Sequence, residues 1–363
     1  MNSEIQTQPR SETARRALVA VSGGVDSTVA MLLMKQSGFD ISAATLLLND
    51  SESAQADIAS AAENAAILGI GHTVLDRREI FKKEVILPFA ECYASGETPN
   101  PCVICNRRIK FGILCDFAHE NGFDFVATGH YAVAEYSEKY GRRVIRRAAS
   151  HKKDQSYVLW QLTQKQIDMA YFPLGRYEKS EVRSVAAEYG FTNSVKKDSQ
   201  DICFIPNGTD YADFAEKLLG KNFADGDFVL EDGTVLGRHR GIIRYTTGQR
   251  KGLGLALPAP LYVKEKRIPQ NQVVLCPENE LYTRCVTARD INFQAIDALA
   301  ENETATAYVK LRYSAQPAKA ELKYRNGILN ISFFELQRAA TPGQSAVAYD
   351  EDGVILCGGF ICQ

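Results

Sequence analysis

Val19-Ala20-Val21-Ser22-Gly23-Gly24-Val25-Asp26-Ser27-Thr28 is the stretch on which the reading of this chain turns. The apolar run from Ala17 to Val21 has the length and content of a buried strand, and Thr28 to Lys35 reads as a helix, so two glycines join a strand directly to a helix. That junction suits an oxyanion. Glycine lets the backbone approach closely, Ser22 and Ser27 can donate hydroxyls, and the helix N-terminus offers unpaired N–H groups with a favourable dipole. Asp26 is out of place beside phosphate unless a metal bridges it, which points to a Mg-nucleotide. The Lys of G-x-x-x-x-G-K-S/T is absent, which excludes that class of nucleotide hydrolase. Outward from the loop, Ile41 to Leu48, Ala54 to Leu68 and His72 to Leu75 continue the alternation. The rhythm β-α-β-α-β predicts a parallel sheet flanked by helices, an α/β domain.

The chain has 363 residues, 45% hydrophobic and 24% charged, which is long enough for two or three domains and excludes disorder of the whole. Residues 1–16 read as a disordered lead-in and 17–205 as the α/β domain. After Pro206 the texture turns to Gly-rich, β-rich segments with turn signals at Asp232-Gly233 and Asn326-Gly327. Residues 206–280 read as a small α+β central domain. In 281–363, five strand-like runs (Thr304 to Tyr313, Ala318 to Tyr324, Ile328 to Phe334, Gln344 to Tyr349, Val354 to Ile361) are enough for a small closed β-barrel. The first residues carry charges of both signs without an apolar core, and no uncharged apolar run approaches a membrane span, so a cytosolic, soluble protein is expected.

Nine cysteines are too few for a disulfide scaffold, and an odd number leaves one unpaired. Cys92, Cys115, Cys276, Cys285, Cys357 and Cys362 read as small buried hydrophobes. Cys102 and Cys105 differ. They lie in Thr98-Pro99-Asn100-Pro101-Cys102-Val103-Ile104-Cys105-Asn106, followed by Arg107, Arg108 and Lys110. Nearby positive charge and a helix N-terminus favour thiolate, the reactive form. Cys203, after Lys196 and Lys197, is the third candidate. A C-x-x-C alone also suits a zinc half-site or a redox pair, although no second pair supports a four-thiolate zinc site.

Taken in order, SGGVDS, TPNPCxxCN, ATGHY (Ala127 to Tyr131), KDQSYVLW (Lys153 to Trp160), KDSQDICFI (Lys197 to Ile205) and TTGQRKGLG (Thr246 to Gly254) form a set. With Thr341-Pro342-Gly343-Gln344 and Gly358-Gly359, they resemble the tRNA-specific 2-thiouridylase family within the PP-loop ATP pyrophosphatases, from about Leu18 to the C-terminus. The resemblance implies an ATP-dependent transferase that puts sulfur on C2 of the wobble uridine (position 34) in tRNAs for Lys, Glu and Gln. ATP adenylates O2 of the base, and sulfur then displaces AMP. It implies ATP contacts from Ala20, Val21, Ser22, Gly23, Gly24, Val25, Asp26, Ser27, Leu46 and Gly129, with His130 able to approach the phosphates. Cys203 would carry sulfur as a persulfide supplied by a carrier protein, with Cys105 as nucleophile, and the two could form a disulfide. Asn100, Pro101 and Cys102 would touch the target base. Lys153, Asp154, Gln155, Arg312 and Tyr313 would contact tRNA.

Two departures from the family pattern stand out. Asp is usual at position 102, with an acid/base role, and here it is Cys102. Cys102, Cys105 and Cys203 then resemble the three-thiol set with which related thiolases hold a four-iron, four-sulfur cluster, an alternative route for sulfur. Leu46-Leu47-Leu48-Asn49-Asp50 also replaces the usual methionine and tryptophan-containing loop. Net charge is −2, yet Lys139, Arg142, Arg143, Arg146, Arg147, Lys152 and Lys153 run without an acid between them, as do Arg238, Arg240, Arg244, Arg250 and Lys251. Both stretches suit RNA phosphates, with Tyr245 and Tyr313 placed to stack on unpaired bases. A PP-loop ligase of small molecules and a non-catalytic RNA-binding or sulfur-carrying paralogue are the competing readings. The cysteines discriminate, because a ligase with an amine nucleophile needs no such thiols.

Overall fold

The computed structural model describes residues 15–194, 202–206, 208–301 and 303–362. The expected lead-in, 1–14 of it, lies outside the described residues, and Arg16 already belongs to the first strand. In chain order the first half contains β1 (Arg16–Ala20), α1 (Val25–Gln36), β2 (Asp40–Leu47), α2 (Glu52–Ile67), β3 (His72–Asp76), α3 (Arg78–Phe81) and α4 (Leu87–Ala94). It continues through α5 (Pro101–Ile104), α6 (Leu114–Glu120), β4 (Phe125–Thr128), β5 (Ala132–Ser137), β6 (Arg142–Arg147), α7 (Gln164–Met169), β7 (Ala170–Tyr171) and α8 (Lys179–Glu188).

The sheet has the order β3-β2-β1-β4-β7, and every pair is parallel. Alternation along β1 explains why it reads as an unbroken apolar run. Ala17, Val19 and Val21 pack against Val29, Ala30 and Met31 on one side, while Leu18 packs with Leu114 and Ala118 on the other. Both faces are covered by helices, so neither face tolerates polar residues. β1 is followed in space by β2 on one side and β4 on the other. Crossovers therefore leave it in opposite directions, opening a crevice at the C-terminal ends of β1 and β4, where open α/β sheets bind ligands.

The second half contains α9 (Tyr211–Leu219), β8 (Gly226–Val229), β9 (Val235–His239), β10 (Tyr262–Arg267) and β11 (Gln272–Cys276). Asp210 caps α9 by accepting from Ala212 N at 2.8 Å. The four strands form a mixed sheet, β10-β11-β8-β9, whose core of Phe228, Val263 and Val273 also takes in Phe89, Ala90 and Tyr93 of α4. The remaining strands are β12 (Tyr282–Phe293), β13 (Thr304–Lys310), β14 (Ala318–Arg325), β15 (Ile328–Arg338), β16 (Ser345–Tyr349) and β17 (Ile355–Ile361). They close as β12-β15-β14-β13-β16-β17, one strand more than the five expected. The extra strand, β12, slips register against both neighbours, which breaks its apolar alternation. At Asn326-Gly327 the hairpin turn is as the sequence indicates, with φ of 52° and 81°.

The barrel is welded to the α/β domain. Trp160 Nε1 donates to Ser345 Oγ at 2.9 Å, Tyr157 Oη donates to Ser345 O at 2.8 Å, and Val347, Tyr349 and Ile355 share a core with Leu18 and Trp160. Gly358 is required there, since a Cβ would lie 2.6 Å from the Trp160 ring. No described helix is long and apolar enough to cross a membrane.

Candidate active site

Strand β1 ends where Val21 N donates to Ala44 O at 2.9 Å, and the chain then turns through Ser22-Gly23-Gly24 into α1, which begins three residues earlier than Thr28. Ser27 Oγ accepts from Ser22 N at 3.1 Å and donates to Gly24 O at 3.0 Å, closing the loop on itself. Gly23 has φ of 69°, and a Cβ there would come within 2.3 Å of Asp57 O. Gly129, just after β4, abuts the same loop, because its Cβ would lie 2.7 Å from Ser27 N. Backbone contact is thus used up from two sides, and both positions must be glycine. Leu46 is half-buried near the end of β2, paired with Leu75.

Asp26 has a different role from the metal bridge the sequence suggested. Lys179 Nζ, at the start of α8, donates to both carboxylate oxygens at 2.7 and 2.8 Å, and Tyr131 Oη donates to Oδ1 at 2.8 Å. The carboxylate is already neutralised, so its setting does not fit a protein-held Mg. Gln155 Oε1 accepts from Tyr131 N at 3.0 Å, which ties the KDQSYVLW segment to the loop. Asn193 Nδ2 donates to Gly23 O at 3.1 Å and Thr28 Oγ1 at 2.9 Å. Tyr131, Lys179 and Asn193 were missed as site residues. No local motif marks Lys179 or Asn193, which chain topology alone delivers to the loop, while Tyr131 closes the ATGHY motif without its hydroxyl having been singled out. His130 is buried, with Nδ1 2.7 Å from Thr128 Oγ1, between the rings of Phe111 and Phe172. Burial, helped by the nearby charge of Lys110, holds its pKa well below the usual value, so the imidazole is neutral.

The three singled-out cysteines come together. Cys102 is exposed in the first turn of α5, and Cys105 is buried among Phe81, Val85 and Ile109. Phe204 packs in the same cluster, 5.7 Å from the Phe81 ring, and this seats its neighbour Cys203 beside Cys105. Lys196 to Asp201 lie outside the described residues. The expectation of low thiol pKa values is overturned. Burial pushes Cys105 up to about 12, and the neighbouring Cys203 and Cys102 add to the rise while Lys110 opposes it. Cys203 is exposed as a residue, yet its sulfur loses enough solvation to be raised too, again against the pull of Lys110. All nine cysteines are free in this structure. Among the described residues no group of three or more His, Cys, Asp or Glu is gathered to hold a metal ion. As placed, Cys102, Cys105 and Cys203 are therefore not gathered into the ready ligand set that the iron-sulfur expectation requires. Of the six cysteines read as buried, Cys285 is exposed on β12, and Cys92 and Cys362 are half-buried.

One residue expected to contact RNA is structural, and others of the set are only partly exposed. Asp154 is fully buried, taking Arg147 Nε at 3.1 Å, Ala148 N at 3.1 Å and Ser156 Oγ at 3.0 Å, and has no surface to offer RNA. Pro101 is buried, Asn100 and Lys153 are half-buried, and Arg312 donates to Arg338 O and Ala339 O at 3.0 and 2.7 Å. Tyr245 is buried against Phe228 and His239, which removes it as a stacking platform, whereas Tyr313 is exposed. The first basic stretch is largely neutralised by acids that lie outside it in sequence. Lys139 pairs with Asp350, Arg142 with Asp297, Arg146 with Glu135 and Arg147 with Asp154, while Arg143 donates to carbonyls. In the second stretch Arg238 pairs with Asp227 and Arg244 with Asp210, Asp213 and Glu216. Arg240, Arg250 and Lys251 are exposed and have no acidic partner among the described residues.

The loop that carries Cys102 is held by the barrel. Thr98 N donates to Pro342 O at 2.8 Å, Gln344 Nε2 to Thr98 O at 2.9 Å, and Arg289 pairs with Glu97 at 2.9 Å. Gly343 fits against this loop only without a side chain, since a Cβ would meet Glu97 Cβ at 2.8 Å.

Three family profiles cover the chain. One described as tRNA methyl transferase HUP domain matches residues 15–207, one described as tRNA methyl transferase PRC-barrel domain matches 212–277, and an aminomethyltransferase beta-barrel domain matches 283–361. The chain is 41% identical over 361 residues to the tRNA-specific 2-thiouridylase MnmA of Acetivibrio thermocellus, covering 96% of this chain and 99% of that one. It is 40% identical over 357 residues to the enzyme of the same name from Clostridioides difficile, covering 96% and 98%. Among solved structures, the U34-tRNA thiolase NcsA from Methanococcus maripaludis with its four-iron, four-sulfur cluster aligns at a TM-score of 0.34 and 19% identity, over 56% of this chain and 63% of that one, too slight a likeness to carry an argument. A phosphate loop and a thiol cluster on this three-part frame, matched over nearly the full length, place the chain in the tRNA-specific 2-thiouridylase (MnmA) family.

Proposed function

We propose that the protein is an ATP-dependent tRNA sulfurtransferase that 2-thiolates the wobble uridine at position 34 of tRNAs for Lys, Glu and Gln. The observation that carries this reading is the approach of Cys105 to Cys203, 98 positions further on, beside Lys110, whose charge also reaches His130, the residue after the Gly129 that abuts the phosphate loop. That neighbourhood supports a reading in which adenylation and sulfur chemistry run side by side. A small-molecule ligase has no use for that arrangement.

Uracil O2 is a poor leaving group. It attacks the α-phosphorus of ATP, Mg entering with the nucleotide as part of the substrate, and pyrophosphate departs. Ser22 to Ser27 and the N-terminus of α1 hold the phosphates, Lys179 adds positive charge beside them, and Leu46 and Gly129 flank the nucleotide. Cys203 receives a terminal sulfur from a carrier protein as Cys203–S–SH. The Cys105 thiolate attacks Cys203 Sγ, forms the Cys105–Cys203 disulfide and expels the outer sulfur as HS⁻. That sulfide adds at C2 and AMP leaves with the C–O bond electrons. A dithiol reductant then restores both thiols. Asn100, Pro101 and Cys102 line the approach of the base. Lys153, Gln155, Arg312 and Tyr313, together with exposed Arg240, Arg250 and Lys251, provide the tRNA surface in the cytoplasm.

Incubating purified protein with ATP, unmodified tRNA, a persulfide donor and a dithiol tests the reading. One 2-thiouridine per AMP released is expected. Release of AMP and pyrophosphate with no sulfur in the RNA would overturn it.

A further inference from the structure

Of the three cations that follow Cys105, one is placed unlike the others. From Cys105 to Ile113 the helix is wound wide, with π-type i→i+5 hydrogen bonds, between the α-helical turns of α5 and α6. In an α-helix residue 110 would point about 140° away from residue 105. In the wider winding it stands one turn above it, on the same face. Lys110 is half-buried, and among the described residues its ammonium has no hydrogen-bond or ion-pair partner. Its charge reaches Cys105, Cys203 and buried His130, whereas Arg107 and Arg108 act on neither sulfur. An ammonium with no partner among the described residues, set close to two thiols, is placed to balance an anion that forms there.

We propose that Lys110 is the counter-cation of the sulfur anion, holding the thiolate of Cys105 and of Cys203 as each forms. This rests on the sulfurtransferase reading and names the residue that makes it feasible. Burial opposes ionisation of both thiols, Cys102 opposes it at both, and Cys203 opposes it at Cys105, while a backbone hydrogen bond at Cys203 favours its anion. No described carboxylate acts on either sulfur. His130 is neutral and supplies no charge. Among the described residues Lys110 is the side-chain cation that favours both anions, and the π-helical winding is the device that aims it.

The test reads the thiols directly, without ATP or tRNA, so that its outcome is independent of whether the protein thiolates tRNA. Alkylation of full-length protein by iodoacetamide is followed from pH 6 to 10, with the Cys203 peptide quantified by mass spectrometry. In Lys110→Met the midpoint for Cys203 moves up by about one pH unit, so that neutral-pH labelling falls about tenfold. Lys110→Arg keeps the profile close to that of the parent protein, and Arg108→Met, a control at an exposed position, leaves it unchanged. Lys110→Gln replaces the methionine variant should the latter not fold. Superimposable profiles for the neutral variant and the parent would overturn the proposal. A shift in Lys110→Arg as large as in the neutral variant would do so too, because it would assign the effect to packing.

Discussion

Gly129→Ala adds a single methyl group where backbone atoms of Asp26 and Ser27 leave no space, at 2.8 and 2.7 Å, and neither can rotate away. The phosphate loop has to shift, at a cost of ~1–3 kcal/mol. ATP affinity measured by calorimetry should fall about tenfold and the melting temperature should drop. An unchanged affinity would detach Gly129 from the nucleotide site. Lys179→Met makes the complementary test. It leaves the part-buried Asp26 carboxylate facing the phosphates without its cation, so nucleotide binding should weaken by about tenfold or more, and Asp26→Asn in the same background should recover part of the loss. If Lys179→Met binds ATP normally, the pair is a structural tie only. Glycines 23 and 24 with both serines were readable because the loop's chemistry is contiguous. Lys179 and Asn193 were not, because each is an ordinary residue of its own segment until the fold brings it to Asp26 or Gly23, and the part played by Tyr131 of ATGHY shows only when its hydroxyl reaches Asp26.

Elements show how local charge misleads. The hairpin of β5 and β6 is acid-free from Lys139 to Lys153 in sequence, but Asp350 and Asp297 of the barrel region and Glu135 of the facing strand neutralise it. Arg250 and Lys251, on the loop before β10, keep their charge exposed. In salt titrations of tRNA binding, Arg250→Gln with Lys251→Gln should reduce the log–log slope by about two, and Arg146→Gln should leave it unchanged. The reverse result would assign the RNA surface to the hairpin. The same contrast explains what could be read of the fold. Strands β1 to β3 and β13 to β17 announce themselves by uninterrupted or alternating apolar runs bounded by turn residues. β12 does not, because its register slips scramble the alternation that a strand normally shows. The thiols of Cys105 and Cys203 were identified from their surroundings in sequence, but their protonation was not, since flanking lysines and arginines say nothing about burial among Phe81, Val85, Ile109 and Phe204.

At the scale of the molecule, three domains meet around the segment that precedes Cys102. Glu97 is paired with Arg289 of the barrel, and Lys266 of β10 is buried beside Cys92 and Glu97 with no hydrogen-bond partner among the described residues. Burial lowers Lys266 from 10.5 to about 8. Below pH 8 the folded protein therefore carries the full cost of a buried cation. As pH rises from about 8 to 10.5 the unfolded chain holds more protons than the folded one, and that cost fades. Lys266→Met should melt higher than the parent protein at pH 7, and the gap should close toward pH 10.5. Cys92, pushed up to about 12 by burial, titrates in both proteins and largely cancels from the comparison. A constant gap would mean that Lys266 is not buried as a cation. The junction matters because it fixes the segment from Thr98 to Cys102 against the barrel, which under the proposed function sets the route by which a base reaches the thiols. Whether that route delivers sulfur to uridine is the central claim, and mass spectrometry of nucleosides from cellular tRNA tests it most directly. Cells lacking the gene should lose 2-thiouridine at position 34 and regain it with the intact gene but not with Cys203→Ser. Undiminished 2-thiouridine in the deletion strain, or full restoration by Cys203→Ser, would contradict the account.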